Sequence, residues 1–161
     1  MIIIPARMAS NRFPGKILAN INGLPMVIAT AKRVEALDDV AIAADTQEVM
    51  DIAKDYGIKA VLTGNQHQSG TDRINEAASL LGIKDDEIVV NVQADEPFIE
   101  PAVVGAVVNR VKIMAKNKED AMMVSCYKAI DTEFASDPNH VKVIMNSSGY
   151  AIYFSRSKIP Y

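Results

Sequence analysis

Val40-Ala41-Ile42-Ala43-Ala44-Asp45-Thr46, running on through Tyr56-Gly57 to Lys59-Ala60-Val61-Leu62, is the stretch that decides the fold. Val40 to Ala44 is an apolar run of strand length. Thr46 is a residue type that caps helix N-termini, and Gly57 suits the left-handed position that closes a helix. With Lys59 to Leu62 as a further strand, the stretch reads strand, helix, strand. Upstream, Ile2-Ile3-Ile4 is a β-branched run ended by Pro5, consistent with a fully buried strand. Ser10 to Lys16, with Pro14 and Gly15, reads as loop. Pro25 is expected in the first turn of a helix reaching about Leu37, with Met26, Ala29, Val34 and Leu37 as its apolar stripe.

Downstream, residues 64–70 form a polar loop, and Thr71 is expected to cap a helix over 72–81 stopped by Gly82. Strands are predicted at 87–92 and 122–128, with a helix from Pro101 to about Lys116 between them. Val141 to Met145 and Tyr150 to Phe154 alternate at period two around Asn146-Ser147-Ser148-Gly149, which predicts a hairpin. The whole reads as an α/β fold: a Rossmann-like, mainly parallel sheet with helices on both faces, plus the hairpin, in one domain over 1–161. Ligands of such sheets sit beyond the carboxyl ends of the strands, here just after Ile4, Ala44, Leu62 and Val92.

The 161 residues are 49% hydrophobic, 23% charged and 6% aromatic, a globular composition that excludes a disordered or fibrous chain. A net charge of −3 leaves no global basic field for nucleic acid. The longest apolar candidate for a membrane span, Ala102 to Val108, is interrupted by Gly105 and falls far short of the roughly 18 residues required. No basic segment precedes the apolar opening, so no secretory signal is predicted. Cys126, the single cysteine, cannot form an internal disulfide, and a cytoplasmic location is expected. It reads as a small core residue, and the eight methionines as core filling. His67 reads as exposed or hydrogen-bonded rather than as a general base, and no Cys/His/Asp cluster has zinc spacing.

Charge is laid out unevenly. Residues 1–34 contain no Asp or Glu but five cations, Arg7, Arg12, Lys16, Lys32 and Arg33. The loop Pro5-Ala6-Arg7-Met8-Ala9-Ser10-Asn11-Arg12-Phe13-Pro14-Gly15-Lys16 lacks the Gly-x-Gly-x-x-Gly fingerprint. It also fails the P-loop pattern, with Ser10 at the first glycine position and Ile17 after the lysine. Three cations among small residues (Ala6, Ala9, Ser10, Gly15) remain, as a triphosphate requires: several oxygens held by charge-assisted hydrogen bonds and close backbone amides. The alternative is a surface loop with scattered cations.

Pro-Ala-Arg-x-x-Ser-x-Arg-x-Pro-Gly-Lys at 5–16 resembles the N-terminal signature of the sugar nucleotidyltransferases that make CMP-activated acidic sugars. His67-Gln68-Ser69-Gly70-Thr71-Asp72-Arg73 and Val90-Asn91-Val92-Gln93-Ala94-Asp95-Glu96-Pro97 narrow the resemblance to the 3-deoxy-manno-octulosonate (Kdo) cytidylyltransferase family, and Asn139 to Lys142 and Tyr150 to Pro160 continue it. The resemblance implies the nucleotide-diphospho-sugar transferase type of α/β fold and CMP transfer from CTP to Kdo for lipopolysaccharide synthesis. It implies Mg²⁺ as cofactor, a cytoplasmic homodimer, and neither nucleic-acid nor membrane partners. Family members run longer, their later part supplying a histidine near the sugar and a second acidic metal ligand, so the resemblance implies the N-terminal part of a longer enzyme. Activation of a related acidic sugar such as sialic acid, or nucleotide binding without turnover, are the alternatives.

Residue by residue, Arg7, Lys16 and Asp95 are the catalytic candidates. Ala6, Arg7, Ser10, Arg12, Lys16, Ser69, Thr71 and Arg73 are assigned to the nucleotide, with plain helix capping as a rival role for Thr71. Gln93 and Arg156 are assigned to the sugar, Gln93 against the reading of an edge polar residue. A guanidinium fork such as that of Arg156 suits the sugar's carboxylate. Asp95, after a buried strand, is the candidate Mg²⁺ ligand, with Glu96 next in line and a turn-forming acid as the bland reading. Ala94 stands where the family commonly has glycine.

Overall fold

The computed structural model describes residues 1–9 and 13–159. Its elements run β1 (Ile2–Ala6), β2 (Asn20–Ile21), β3 (Leu24–Pro25), α1 (Met26–Val34), β4 (Val40–Ala44), α2 (Gln47–Asp55), β5 (Lys59–Leu62), α3 (Gly70–Leu80), β6 (Val90–Asn91), α4 (Pro101–Asn117), β7 (Lys142–Met145) and β8 (Ala151–Ser155), with single 3-10 segments at Lys16–Leu18 and Thr132–Ser136. The chain divides into two compact units, Met1–Val124 and Ser125–Tyr161.

In the first unit a four-stranded sheet has the order β5-β4-β1-β6, and every pairing in it is parallel. The chain lays down β1, β4 and β5 in one direction, then returns through α3 to place β6 on the other side of β1. That reversal makes the carboxyl end of β1 the topological switch point. Alternation along β1 sends its residues to opposite faces. Ile2, Ile4 and Ala6 join Ile42 and Ala44 against Val27, Ile28, Ala31 and Val34 of α1, Val49 and Ala53 of α2, and Val104 of α4. Ile3 and Ala43 face Ile74 and Ala77 of α3. Helices therefore cover both faces, as the sequence predicts.

Pro5 shapes one edge of this sheet. The carbonyl of Ile3 accepts from Val92 N, so odd residues of β1 direct their backbone groups toward β6. Pro5 has the same parity and has no N–H to give. Pairing with β6 ends at Ile3↔Asn91, while pairing with β4 runs on to Ala6↔Ala44. The predicted strand end at Pro5 thus holds on one side only, and β6 is shorter than the 87–92 expected.

Other boundaries also differ. Asn22-Gly23, with φ of 51° and 91°, turns an unforeseen β2–β3 hairpin. Pro25 ends that hairpin with extended ψ (140°) at the N-cap of α1 instead of lying in its first turn. Thr46 caps α2 as predicted, accepting from Val49 N at 3.4 Å, but α3 is capped by Ser69, not Thr71. Residues 122–128 form no strand: Met122 and Met123 are exposed and no ladder partner lies beside them among the described residues. Cys126 is likewise exposed, not core.

The second unit is built on the β7–β8 antiparallel hairpin, with an irregularity between Ile144 and Met145. Asn146 organises its turn, its Oδ1 accepting from Ser148 N and Tyr150 N. Across the described residues no helix is long and apolar enough to cross a membrane.

Ile42, fully buried in β4, tests the packing of the larger face. Ile42→Ala should lower unfolding free energy by about 2–5 kcal/mol in urea titrations. A loss below about 1 kcal/mol would mean that this face is not packed as described.

Candidate functional site

The cleft left by Pro5 lies between the carboxyl ends of β1 and β6. Two adjoining cavities, of about 160 and 170 Å³, share Pro5, Arg7 and Gln93 as common walls. The first adds Gln68, Ser69, Gly70 and Arg73, and the second adds Lys16, Ile17, Ala94 and Asp95. Of the sequence-assigned residues, Arg7, Lys16, Ser69, Arg73, Gln93 and Asp95 therefore converge. Ser10 and Arg12 lie outside the described residues. Ala6 is buried at the end of β1, where it packs in the core.

The basic loop is tied down on both sides. Met8 N donates to both Asp45 carboxylate oxygens at 3.1 Å, joining the loop to the end of β4. Gly15, in the left-handed region (φ 68°), donates its N–H to the Met8 carbonyl at 3.2 Å and starts the 3-10 turn that carries Lys16. Lys16 Nζ then reaches Asp95 Oδ2 at 2.7 Å, with the two side chains 40% and 45% exposed. A pair this open is worth about 0–1 kcal/mol, so an incoming ligand can exchange it at little cost.

Asp95 is held from behind. Thr30, fully buried in α1, donates its hydroxyl toward the Ala94 carbonyl at 3.0 Å and toward Met26 O at 3.1 Å. Ala94 itself is buried in the core. Gln93 Nε2 donates to Asn91 Oδ1 at 2.7 Å, which leaves its amide oxygen as an acceptor. Glu96 is exposed beside Asp95. Among the described residues no three His, Cys, Asp or Glu side chains gather into a metal cluster.

The loop between β5 and α3 walls the first cavity. Ser69 Oγ accepts from Asp72 N at 3.1 Å and donates to Asp72 Oδ2 at 2.7 Å. Thr71 is exposed in the first helical turn. Gly70 lets that turn approach β1, since a Cβ there would lie 3.3 Å from Pro5 Cγ. Arg73 is only 2% exposed, and its guanidinium donates to Thr63 Oγ1 at 2.5 Å and the Gly64 carbonyl at 3.1 Å. His67 is hydrogen-bonded, as expected: its Nε2 meets Glu76 Oε2, and the same oxygen accepts from Gly64 N at 2.9 Å. The His67 hydrogen bond first, and then the Gly64 N–H, hold the Glu76 carboxyl below the usual glutamate range.

Arg156 belongs to the second unit. Its Nη1 donates to the Pro138 carbonyl at 2.9 Å, and Lys142 Nζ holds the Arg156 carbonyl. Sequence reasoning passed over Asp45, Thr30 and Glu76. Asp45 was legible as an acid immediately after a strand; Thr30 and Glu76 are ordinary helix residues with no motif to mark them.

The strand order and the cleft define an α/β domain of the nucleotide-sugar transferase type. A family model described as Cytidylyltransferase matches residues 1–161, and the chain belongs to that family. It is 55% identical over 161 residues to a 3-deoxy-manno-octulosonate cytidylyltransferase of Nitratiruptor sp., covering all of this chain and 67% of that one. The Wolinella succinogenes protein of the same name is 46% identical, with 66% of it covered. Among solved structures, CMP:2-keto-3-deoxy-manno-octonic acid synthetase complexed with CTP superposes with a TM-score of 0.85 at 37% identity, over 99% of this chain and 65% of that one. The chain thus spans about two thirds of the length of these relatives.

Because the Glu76 carboxyl titrates low in the folded state, its ionised form contributes stability above the ordinary glutamate pKa and loses it as pH falls through the lowered value. The stability difference between wild type and Glu76→Gln should be full near neutral pH and shrink as pH falls below the ordinary glutamate pKa of about 4.3. Denaturant unfolding across that range measures it, and a difference that widens in acid would contradict the assignment.

Proposed function

We propose that the chain carries the CTP-binding and much of the catalytic part of an enzyme that transfers CMP from CTP to Kdo, releasing pyrophosphate. The observation that carries this reading is the Lys16–Asp95 pair facing Arg7 across the switch-point cleft. Two cations suited to a triphosphate beside a carboxylate suited to its counter-cation support this reading. Identity with relatives named as Kdo cytidylyltransferases supports the choice of nucleotide and sugar.

In this reading a sugar hydroxyl attacks the α-phosphorus in line and pyrophosphate departs. The protein's task is positioning and charge neutralisation, with no covalent intermediate. Arg7 and Lys16, with Arg12 from the loop motif, balance the triphosphate. The first cavity, lined by Ser69 and Arg73 among others, takes the cytidine; the role of Thr71 there rests on the family resemblance. Gln93 accepts a hydrogen bond from a sugar hydroxyl through its amide oxygen; the assignment of Arg156 to the sugar's carboxylate rests on the family resemblance alone.

The donor chemistry fits Mg²⁺. That ion takes one or two carboxylates and completes its shell with water and substrate phosphates, so a half-exposed Asp95 at the rim of a cationic cavity suffices as a protein ligand. When bound, the ion supplies further charge neutralisation at the phosphates. By resemblance to the family, the same reading carries a cytoplasmic homodimer whose product serves lipopolysaccharide synthesis.

Pyrophosphate release with CTP, Mg²⁺ and Kdo, compared with sialic acid and with CTP alone, tests the reaction in the full-length protein. Activity with Kdo is expected; release with sialic acid only, or with neither sugar, would reject it. Lys16→Ala should weaken CTP binding roughly 10- to 150-fold by calorimetry, the range for a charged hydrogen bond. Unchanged affinity would remove Lys16 from the site. Asp95→Asn should cut Mg²⁺-dependent turnover far more than thermal stability, and full retained activity would pass the metal to Glu96.

A further inference from the structure

Glu76 lines neither cavity, yet it ties together the loop that walls the first one. Its Oε2 accepts the Gly64 N–H at 2.9 Å and meets His67 Nε2. Between those anchors and the helix, the loop delivers Gln68, Ser69 and Gly70 to the cavity. Arg73 lies one turn earlier on the same face of α3 and holds Thr63 and the Gly64 carbonyl. Thr63 Oγ1 in turn donates to the Ala44 carbonyl at 2.8 Å, so the start of the loop is fastened to the sheet. Two side chains of one helix therefore fix residues 63, 64 and 67 against β4.

We propose that Glu76 is a positioning residue for nucleobase recognition, holding the 64–70 loop in the shape that receives the cytidine half of the ligand. The inference rests on the CTP reading above. A loop without these ties samples other shapes, and the ligand then bears the cost of ordering it. The His67 side chain is only 14% exposed and Glu76 35%, so their bond is partly shielded from water and stiffer than a surface pair. The phosphate half of the cleft is fastened separately, through Asp45 and Gly15. Loss of Glu76 should therefore act on the base and spare the phosphates.

That separation gives the test. Wild type, Glu76→Ala and Glu76→Gln are titrated calorimetrically with CTP and with inorganic tripolyphosphate, both with Mg²⁺. Wild type is expected to bind CTP more tightly than tripolyphosphate. Glu76→Ala should lose roughly tenfold in CTP affinity while tripolyphosphate changes by less than about twofold. Glu76→Gln, which still accepts the Gly64 N–H, should recover part of the loss. Equal weakening of both ligands, or unchanged CTP affinity, would overturn the positioning role. Equal wild-type affinity for the two ligands would overturn the base-site reading and this role with it. Should Glu76→Ala fail to fold, His67→Ala leaves the Gly64 bond in place and is read by the same outcomes.

Discussion

Pro5 has no N–H to offer on the side of β1 that faces β6, and much of the site depends on that omission. Where the β1–β6 ladder stops, at Ile3↔Asn91, the two chains are free to diverge. On the β4 side, where even-numbered residues do the pairing, β1 continues to Ala6 and stays anchored in the core. The central strand is thus rigid along one edge and open along the other. The opening coincides with the reversal of strand order, where α/β sheets bind ligands. Arg7 emerges on one side of it and Gln93 to Asp95 on the other.

The two halves of the cleft are held by different kinds of interaction. The half lined by Lys16 and Asp95 ends in their ion pair, two side chains about half exposed and weak enough to be exchanged for a ligand's charges. Its supports lie deeper: Asp45 on the Met8 N–H, and Thr30 on the Ala94 carbonyl. The other half is walled by a loop whose fastenings, Arg73 and the His67–Glu76 bond, are buried or partly buried and already satisfied within the protein. Labile charges at the surface over fixed polar anchors below give a site that is preorganised but not blocked.

The sheet, the helices on both faces and the C-terminal hairpin were legible because each rests on a local signal: apolar runs of strand length, Thr46 and Gly57 at the ends of α2, and period-two alternation at 141–154. Asn22-Gly23 is a turn dipeptide, but the two-residue strands it joins are too short to carry a period-two pattern. Residues 122–128 misled because strand propensity has no force without a partner to pair with. Ser69 and Thr71 are equivalent caps by residue type, and the structure assigns the cap to Ser69, whose Oγ accepts from Asp72 N. Arg7, Lys16 and Asp95 announced themselves by charge and motif. Thr30 and Glu76 did not, since their importance comes from residues far away in sequence.

The central claim is that the β1–β6 cleft is the CTP site. Backbone amide shifts recorded by two-dimensional NMR as CTP and Mg²⁺ are added to the isotope-labelled chain test it most directly. The amides of Arg7, Lys16, Gly70 and Asp95 should show the largest changes, with those of α2 and β5 nearly still. Largest changes on α2 and β5, or none anywhere at millimolar CTP, would contradict it.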